Sequence, residues 1–270
     1  MADFIYCLNS STIMPTPILE KIRIAGQTGY AAIELWHSDI DAHLATGGSL
    51  ADVKNAVADN GLEVPTTIFL KGWWDTVGAV YERAEDETKR RLEQAREIGA
   101  PYAIGGPPLG PVDFEVGATN YRRLLELGQE FGVKPVMEYL GFSEEVNSIE
   151  AALRVMQGSG HPDATTVLDP FHCFRGGGSI ESIAQLTANQ IAISHFNDSP
   201  GLPPRELQQD CDRVMPGDGV VDLKRFCDLL RQTGYNRWLS LELFNRSYWA
   251  MDAAEVAREG LEKMREAAEA

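Results

Sequence analysis

Eight short apolar runs, rich in β-branched and aromatic residues, recur along the chain at residues 4–8, 31–36, 64–70, 102–105, 136–139, 165–169, 191–196 and 238–243. Longer stretches with apolar residues three and four apart lie around residues 18–27, 50–60, 80–98, 119–131, 149–157, 180–187, 223–232 and 253–267. Short continuous apolar runs suit strands buried on both faces, and the longer spacing suits amphipathic helices. Gly29, Gly61, Gly99, Gly132 and Gly234 each close a helical stretch just ahead of the next run, the place where a left-handed cap favours glycine. The pattern therefore predicts eight βα units in series. Such a series closes most naturally into a (β/α)8 TIM barrel, an α/β fold, here as a single domain over residues 1–270. The rival, a doubly wound open sheet, would want a Gly-rich phosphate turn after the first strand, where this chain has Asn9-Ser10-Ser11-Thr12. One long irregular segment, residues 197–221, follows the seventh run and is expected to be a lid.

A barrel of this kind carries its chemistry at the C-terminal ends of its strands. Four candidate metal ligands fall there on successive runs: Glu138, Asp169, His195 and Glu242. Strand side chains alternate faces, so with Glu242 inward, Trp238 and Ser240 share its face while Leu239, Leu241 and Leu243 pack on helices. The same parity turns Ile191 and Ile193 inward with His195, and Val167 inward with Asp169. A lone buried carboxylate is costly, and for any one of these acids a satisfied core or rim role is about as good a reading. Four at one height are explained together by a divalent cation. The set is oxygen-rich and hard, suited to Mn, Mg or Co and able to hold Zn, with Mn favoured.

Other residues near the predicted mouth carry weaker signals. His172, three residues past Asp169, is expected to touch a substrate oxygen, against the plainer reading of a loop histidine. Arg213 in the predicted lid is a candidate for a substrate oxygen, although a loop arginine is more often solvated; Arg205 is weaker still. Glu34 is read as substrate-binding or as a supporting residue, with a structural ion pair equally open. Trp73 and Trp74 are candidates for a wall over the substrate, one of them being plain packing. His37 and His43 are expected to be exposed rim residues, and His161 lies at the opposite end. Cys7 and Cys173 lack a base partner and are read as packing.

Composition narrows the partner. With a net charge of −16 and no basic patch, the 270-residue chain is a poor match for nucleic acid or an anionic membrane. Four scattered cysteines suit reduced thiols in a cytoplasm, and residues 1–15 do not read as a signal peptide. No apolar stretch is long enough to span a bilayer. The aromatic segment 244–249 is a candidate either for a homo-oligomer interface or for closure over the mouth.

At Glu138, Asp169, His195 and Glu242 the chain resembles the xylose-isomerase-like barrels, a superfamily of sugar isomerases and epimerases. Its members carry Glu, Asp, His and Glu metal ligands on strands five to eight, and His172 matches a substrate-binding histidine of its epimerases. Residues 168–172, 195–198, 212–219 and 241–244 are similar to the 2-keto-myo-inositol (inosose) isomerases; before strand five the similarity is only general. Two departures stand out. The ketohexose epimerases place an arginine soon after the strand-seven histidine, whereas Arg205 and Arg213 come later here. The 3-dehydroshikimate dehydratases share the Leu-Glu-aromatic ending but carry glutamine where this chain has His195. Endonucleases of abasic DNA, also in the superfamily, need further ligands and a basic face.

The resemblance implies proton transfer through a metal-stabilised enediolate of a polyhydroxylated α-hydroxyketone, a keto-cyclitol such as 2-keto-myo-inositol or a ketose. Glu138 and Glu242 would handle the carbon-bound proton, with His172 donating to oxygen. The alternatives are a dehydratase using the same centre on a keto-cyclitol or a 3-dehydroshikimate-like substrate, and a silent barrel that only binds. A phosphosugar would want a Gly-rich helix start after strand seven or eight, which is absent from the sequence.

Overall fold

Parallel strands cannot be joined by tight turns, so each return needs a crossover. The computed structural model, which describes residues 4–74 and 78–270, supplies one after every strand. β1 (Ile5–Asn9) leads to a short 3-10 turn (Ser10–Ile13) and α1 (Ile18–Thr28). β2 (Ala32–Trp36) leads to α2 (His37–Ala45) and α3 (Leu50–Asp59), and β3 (Thr66–Leu70) to α4 (Gly78–Ile98). β4 (Tyr102–Gly105) and α5 (Phe114–Phe131) are followed by β5 (Lys134–Met137) and α6 (Ile149–Ser159). β6 (Thr166–Leu168) is followed by α7 (Pro170–Gly176), β7 (Ile191–His195) by α8 (Leu223–Gln232), and β8 (Trp238–Leu241) by α9 (Arg246–Trp249) and α10 (Ala253–Glu269). Each strand pairs in parallel with its sequence neighbours, and β1 pairs with β8 to close an eight-stranded barrel.

Closure divides the apolar residues into two cores. Ile68, Ile104, Val136, Val167, Ala192 and Ile193 fill the barrel interior. The outward faces of the strands, Leu239, Leu241 and Leu243 among them, pack against the helices. The parity expected for β8 holds: Ser240 turns inward and donates to Glu34. Ile191 is a correction, because it belongs to the helix-side core while Ala192 faces inward. The pairing of β6 with β7 shifts register at Thr166/Val167, opposite this start of β7, and strict alternation fails there.

All five glycines expected to end helices have positive φ. At Gly29 (φ 95°) the backbone N–H caps the last turn of α1 by donating to Ala25 and Gly26 carbonyls. Three elements differ from expectation. The helix α5 begins at Phe114 because Asp113 caps it, accepting from the Glu115 and Val116 N–H groups. The sixth unit has α7 and a 3-10 turn at Ile180–Gln185 in place of a helix over residues 180–187. Asp169 caps α7 and Pro170 opens it with its φ already suited to a helix. Third, β2 runs directly into α2. Among the described residues no helix is long and apolar enough to cross a membrane.

The additional helix buries His37, expected to be exposed, at 2% exposure. Its Nδ1 meets Gln94 Oε1 at 2.9 Å, and burial, with Arg91 adding to it, pushes the imidazole pKa down to about 4. The folded chain then binds fewer protons at His37 than the unfolded chain between about pH 4 and 6.5. Stability from this residue is fully present above 6.5 and is lost as pH falls toward 4, by an amount on the order of 3 kcal/mol. His37→Asn keeps a donor toward Gln94 and should flatten that part of the stability-versus-pH curve. Denaturant melts of both proteins from pH 4 to 7 measure it; parallel curves would contradict the assignment.

Candidate metal centre and substrate pocket

β5, β6 and β8 each end one residue before Glu138, Asp169 and Glu242, and His195 is the last residue of β7. Four successive strands thus deliver four side chains to one height at the C-terminal mouth. One ligand atom from each lies within 4.8 Å of the others, and all four residues are buried. His195 Nδ1 is 3.0 Å from both Glu138 Oε1 and Glu242 Oε2, and 3.6 Å from Asp169 Oδ2. These are ion-pair distances without hydrogen-bond alignment. Glu138 Oε1 and His195 Nδ1 are buried with no hydrogen-bond partner among the described residues.

The electrostatics record the crowding. Burial raises the Glu138 carboxyl, His195 opposes the rise, and Glu242 and Asp169 add to it. Burial disfavours charge on His195, but Glu242, Glu34 and Glu138 outweigh it and hold the imidazole well above its usual range. Burial also works against the Asp169 carboxylate, yet Arg213 and the neighbouring histidines hold it well below the usual value. The cluster draws positive charge to itself, as a cation-binding donor set does.

A second ring of polar groups fixes the first. The Asn9 amide donates to Glu242 Oε1 at 3.0 Å and to Glu34 Oε2 at 3.1 Å. Asn197 donates to Asp169 Oδ2 at 3.2 Å. Glu34 is fully buried beneath the cluster, accepts from Thr66 and Ser240, and faces His195 Nε2 at 3.4 Å. Of the readings open for Glu34, these contacts fit a residue that orients the cluster from below.

Arg213 is 1% exposed and reaches into the centre. Its Nη1 donates to Asp169 Oδ2 at 2.7 Å and Glu242 Oε2 at 2.9 Å. The other edge meets Asp210 Oδ1, from Nη2 at 2.8 Å and Nε at 3.2 Å. Nη2 also lies 2.9 Å from His172 Nε2. The backbone N–H of Gly141 points at His172 Nδ1 at 3.1 Å, so both ring nitrogens face donors. Burial pushes His172 down to about 4, so the ring is neutral and can accept from only one of these two donors. A substrate oxygen entering between His172 Nε2 and Arg213 Nη2 would relieve that competition by accepting from both.

Residues 22–267 match the family model described as xylose isomerase-like TIM barrel. The chain belongs to that family. Inosose isomerase of Bacillus velezensis is 26% identical over 260 residues, covering 93% of this chain and 92% of the relative. A 3-dehydroshikimate dehydratase of Pseudomonas aeruginosa is 28% identical over 91% of this chain, which spans only 39% of that longer protein. In fold, the chain resembles a crystal structure of IOLI protein with a bound zinc atom, at a TM-score of 0.90, with 23% identity and 97% of both chains covered.

In this xylose isomerase-like barrel, a cavity of about 210 Å³ opens over the cluster. Its apolar walls are Trp36, Phe69, Leu140, Phe142 and Phe244, and Lys71, His172, Asp210 and Arg213 supply its polar edge with Glu138 and Glu242. A larger cavity of about 390 Å³ lies by Lys134 and Asp163 at the other end of the barrel and holds none of the four candidate ligands. Trp73 does not line the wall: it is buried, and packs on Trp74 at 5.2 Å and Tyr121 at 5.6 Å. Asn9, Asn197, Asp210 and the lining residues Trp36, Phe69 and Phe142 escaped the sequence reading, since neither amides, loop acids nor single aromatics are distinctive in sequence. His161 pairs with Gln129 away from the mouth, and Arg205 turns to the Arg175 carbonyl. Cys7 and Cys173 are buried, as read. His43 faces Asp52 on the surface of the helix layer. The 244–249 segment folds over the mouth: Phe244 lines the cavity, the Trp249 indole donates to the Ser11 carbonyl, and the Tyr248 hydroxyl accepts from the Met215 N–H.

The segment 197–221, expected to be a lid, is pinned. The buried Asp198 carboxylate accepts from the backbone N–H groups of Ser199, Gly217, Gly219 and Val221, tying both ends of the segment together. Gly219 leaves no room for a Cβ, which would strike that carboxylate. Arg213 is therefore carried on a fixed strap. Replacing Asp198 by Ala removes four acceptor contacts, and the amides of Gly217, Gly219 and Val221 should lose hydrogen-exchange protection by about tenfold or more. Unchanged protection of these three amides would show that the strap is held by other contacts.

Proposed function

We propose that this chain is a divalent-metal-dependent isomerase of a polyhydroxylated α-hydroxyketone, with a keto-cyclitol such as 2-keto-myo-inositol as the leading substrate. One observation carries the proposal: three buried carboxylates and an imidazole converge beneath a pocket sized for one small ring. Glu138, Asp169, His195 and Glu242 fit a divalent ion, because two of their buried donor atoms lack hydrogen-bond partners among the described residues. The zinc in the IOLI crystal structure supports a divalent ion, and the hard oxygen-rich set leads us to prefer Mn, with Mg, Co and Zn as alternatives. When bound, the ion would stabilise negative charge developing on substrate oxygen.

The chain's own groups would do the rest. Of Glu138 and Glu242, one would take the proton from the hydroxyl-bearing carbon beside the carbonyl, and the other would return one to the former carbonyl carbon. Epimerisation would instead return a proton to the carbon that lost it, on the opposite face. General base catalysis of this kind contributes roughly 10²–10⁴-fold. His172 Nε2–H would donate to the oxygen that gains charge, with Arg213 beside it. The aromatic walls would exclude water and stack on the apolar faces of the ring. The full-length similarity to inosose isomerase of B. velezensis supports the keto-cyclitol. An acidic chain with free thiols supports a small-molecule substrate and a cytoplasmic setting.

A second reading, a dehydratase, draws on the P. aeruginosa relative and on Lys71 at the pocket edge, which would meet a substrate carboxylate. Proton NMR of 2-keto-myo-inositol with the Mn-loaded protein in heavy water separates the two. We expect deuterium beside the carbonyl, an isomeric ketone of unchanged connectivity, loss of both on chelation, and a fall of about 10²-fold or more in Glu242→Gln. An ultraviolet-absorbing, water-depleted product from this ketone or from 3-dehydroshikimate would favour the dehydratase. Exchange that survives both chelation and the Glu242 substitution would overturn the mechanism.

A further inference from the structure

Arg213 poses an electrostatic problem that the metal reading sharpens, and the inference that follows rests on that reading. Its guanidinium cannot deprotonate and is almost fully buried, so it needs lasting counter-charge. Three carboxylates touch it: Asp169, Glu242 and Asp210. The two oxygens that receive Nη1, Asp169 Oδ2 and Glu242 Oε2, are the same atoms that face His195 Nδ1 inside the cluster. An ion held by the cluster would draw on those oxygens too. Asp210 alone among the three lies outside the ligand set.

We propose that Asp210 is a positioning residue for the metal centre, keeping Arg213 paired and in plane when the ion takes charge from Asp169 and Glu242. The geometry supports this role at each point. Asp210 and Arg213 are three residues apart across one turn of 3-10 helix, Asp210–Asp212, so the pair is short-range and built into the strap. A single oxygen, Oδ1, takes both Nε and Nη2, which fixes the guanidinium plane and aims Nη1 at the cluster. Phe171 and Phe244 lie against the guanidinium, at 4.8 and 5.5 Å from its carbon, and limit rescue by water. Without Asp210, the only counter-charges left to the arginine would be ligand oxygens, for which it would compete with the ion.

Asp210→Asn should therefore weaken Mn²⁺ and Zn²⁺ binding by about 10–100-fold, the range seen when outer partners of metal ligands are removed. Titration calorimetry of each ion into the metal-free protein reads this without any substrate. Asp210→Glu should recover much of the affinity, and it also serves if the asparagine variant does not fold. Mediation through Arg213 is tested by a double-mutant cycle: in an Arg213→Gln background, adding Asp210→Asn should change affinity less than about threefold. With 2-keto-myo-inositol, and metal saturating, kcat should fall more than KM rises. A wild-type protein that takes up no ion overturns the metal reading and this inference together. Wild-type binding with unchanged affinity in Asp210→Asn overturns the inference alone, as does an equal loss in both Arg213 backgrounds.

Discussion

Three carboxylates packed around one imidazole at the mouth of a barrel repel each other strongly. At 4 Å and an effective dielectric of about 20, one like-charge pair costs on the order of 4 kcal/mol. Much of the surrounding structure can be understood as a response to that repulsion. Arg213 is brought in from a loop to neutralise part of it, Asn9 and Asn197 give the carboxylates donors, and His195 is driven toward its charged form. A divalent ion held by Glu138, Asp169, His195 and Glu242 would answer the same repulsion more completely.

The same constraint accounts for the strap after β7. An arginine on a mobile lid would leave the cluster uncompensated whenever the lid opened. Asp198 prevents this by holding four backbone N–H groups of the strap, and the Asn245 amide adds a hydrogen bond to the Arg213 carbonyl. The fixed strap leaves a small pocket, about 210 Å³, with aromatic walls and a polar floor. Those proportions suit a single hydroxylated ring better than an extended chain.

How much of this was legible in the sequence depends on the range of the interaction. The eight-unit series and the strand-end candidate ligands follow from local period and parity, which a sequence displays directly. Glu138, Asp169, His195 and Glu242 could be found because a charged or ionisable residue at the end of an apolar run is conspicuous. Trp73 could not be placed, nor the readings of Glu34 separated, because parity gives the face of a strand or the neighbourhood of a loop, not depth. Asp210 and Asn9 were invisible for another reason. Nothing local distinguishes an aspartate that will hold a buried arginine from one that is merely solvated. The helix α2 was missed because its apolar face is short, with only His37 and Ile40 buried.

Closure of the barrel is part of the chemistry and not only its scaffold. Asn9 on β1 reaches Glu242 just past β8, a contact between the first and last strands that exists because β1 pairs with β8. Glu34 on β2 faces His195 on β7 across the interior at 3.4 Å. In an open sheet with the strands in sequence order, β1 and β8 would stand at opposite edges, and neither contact could form. β5 to β8 present the four candidate ligands, while β1 and β2 supply the groups that orient two of them. A change that loosened the β1–β8 seam would therefore disturb Glu242 before it unfolded the barrel, because the amide that holds this carboxylate belongs to the strand across the seam.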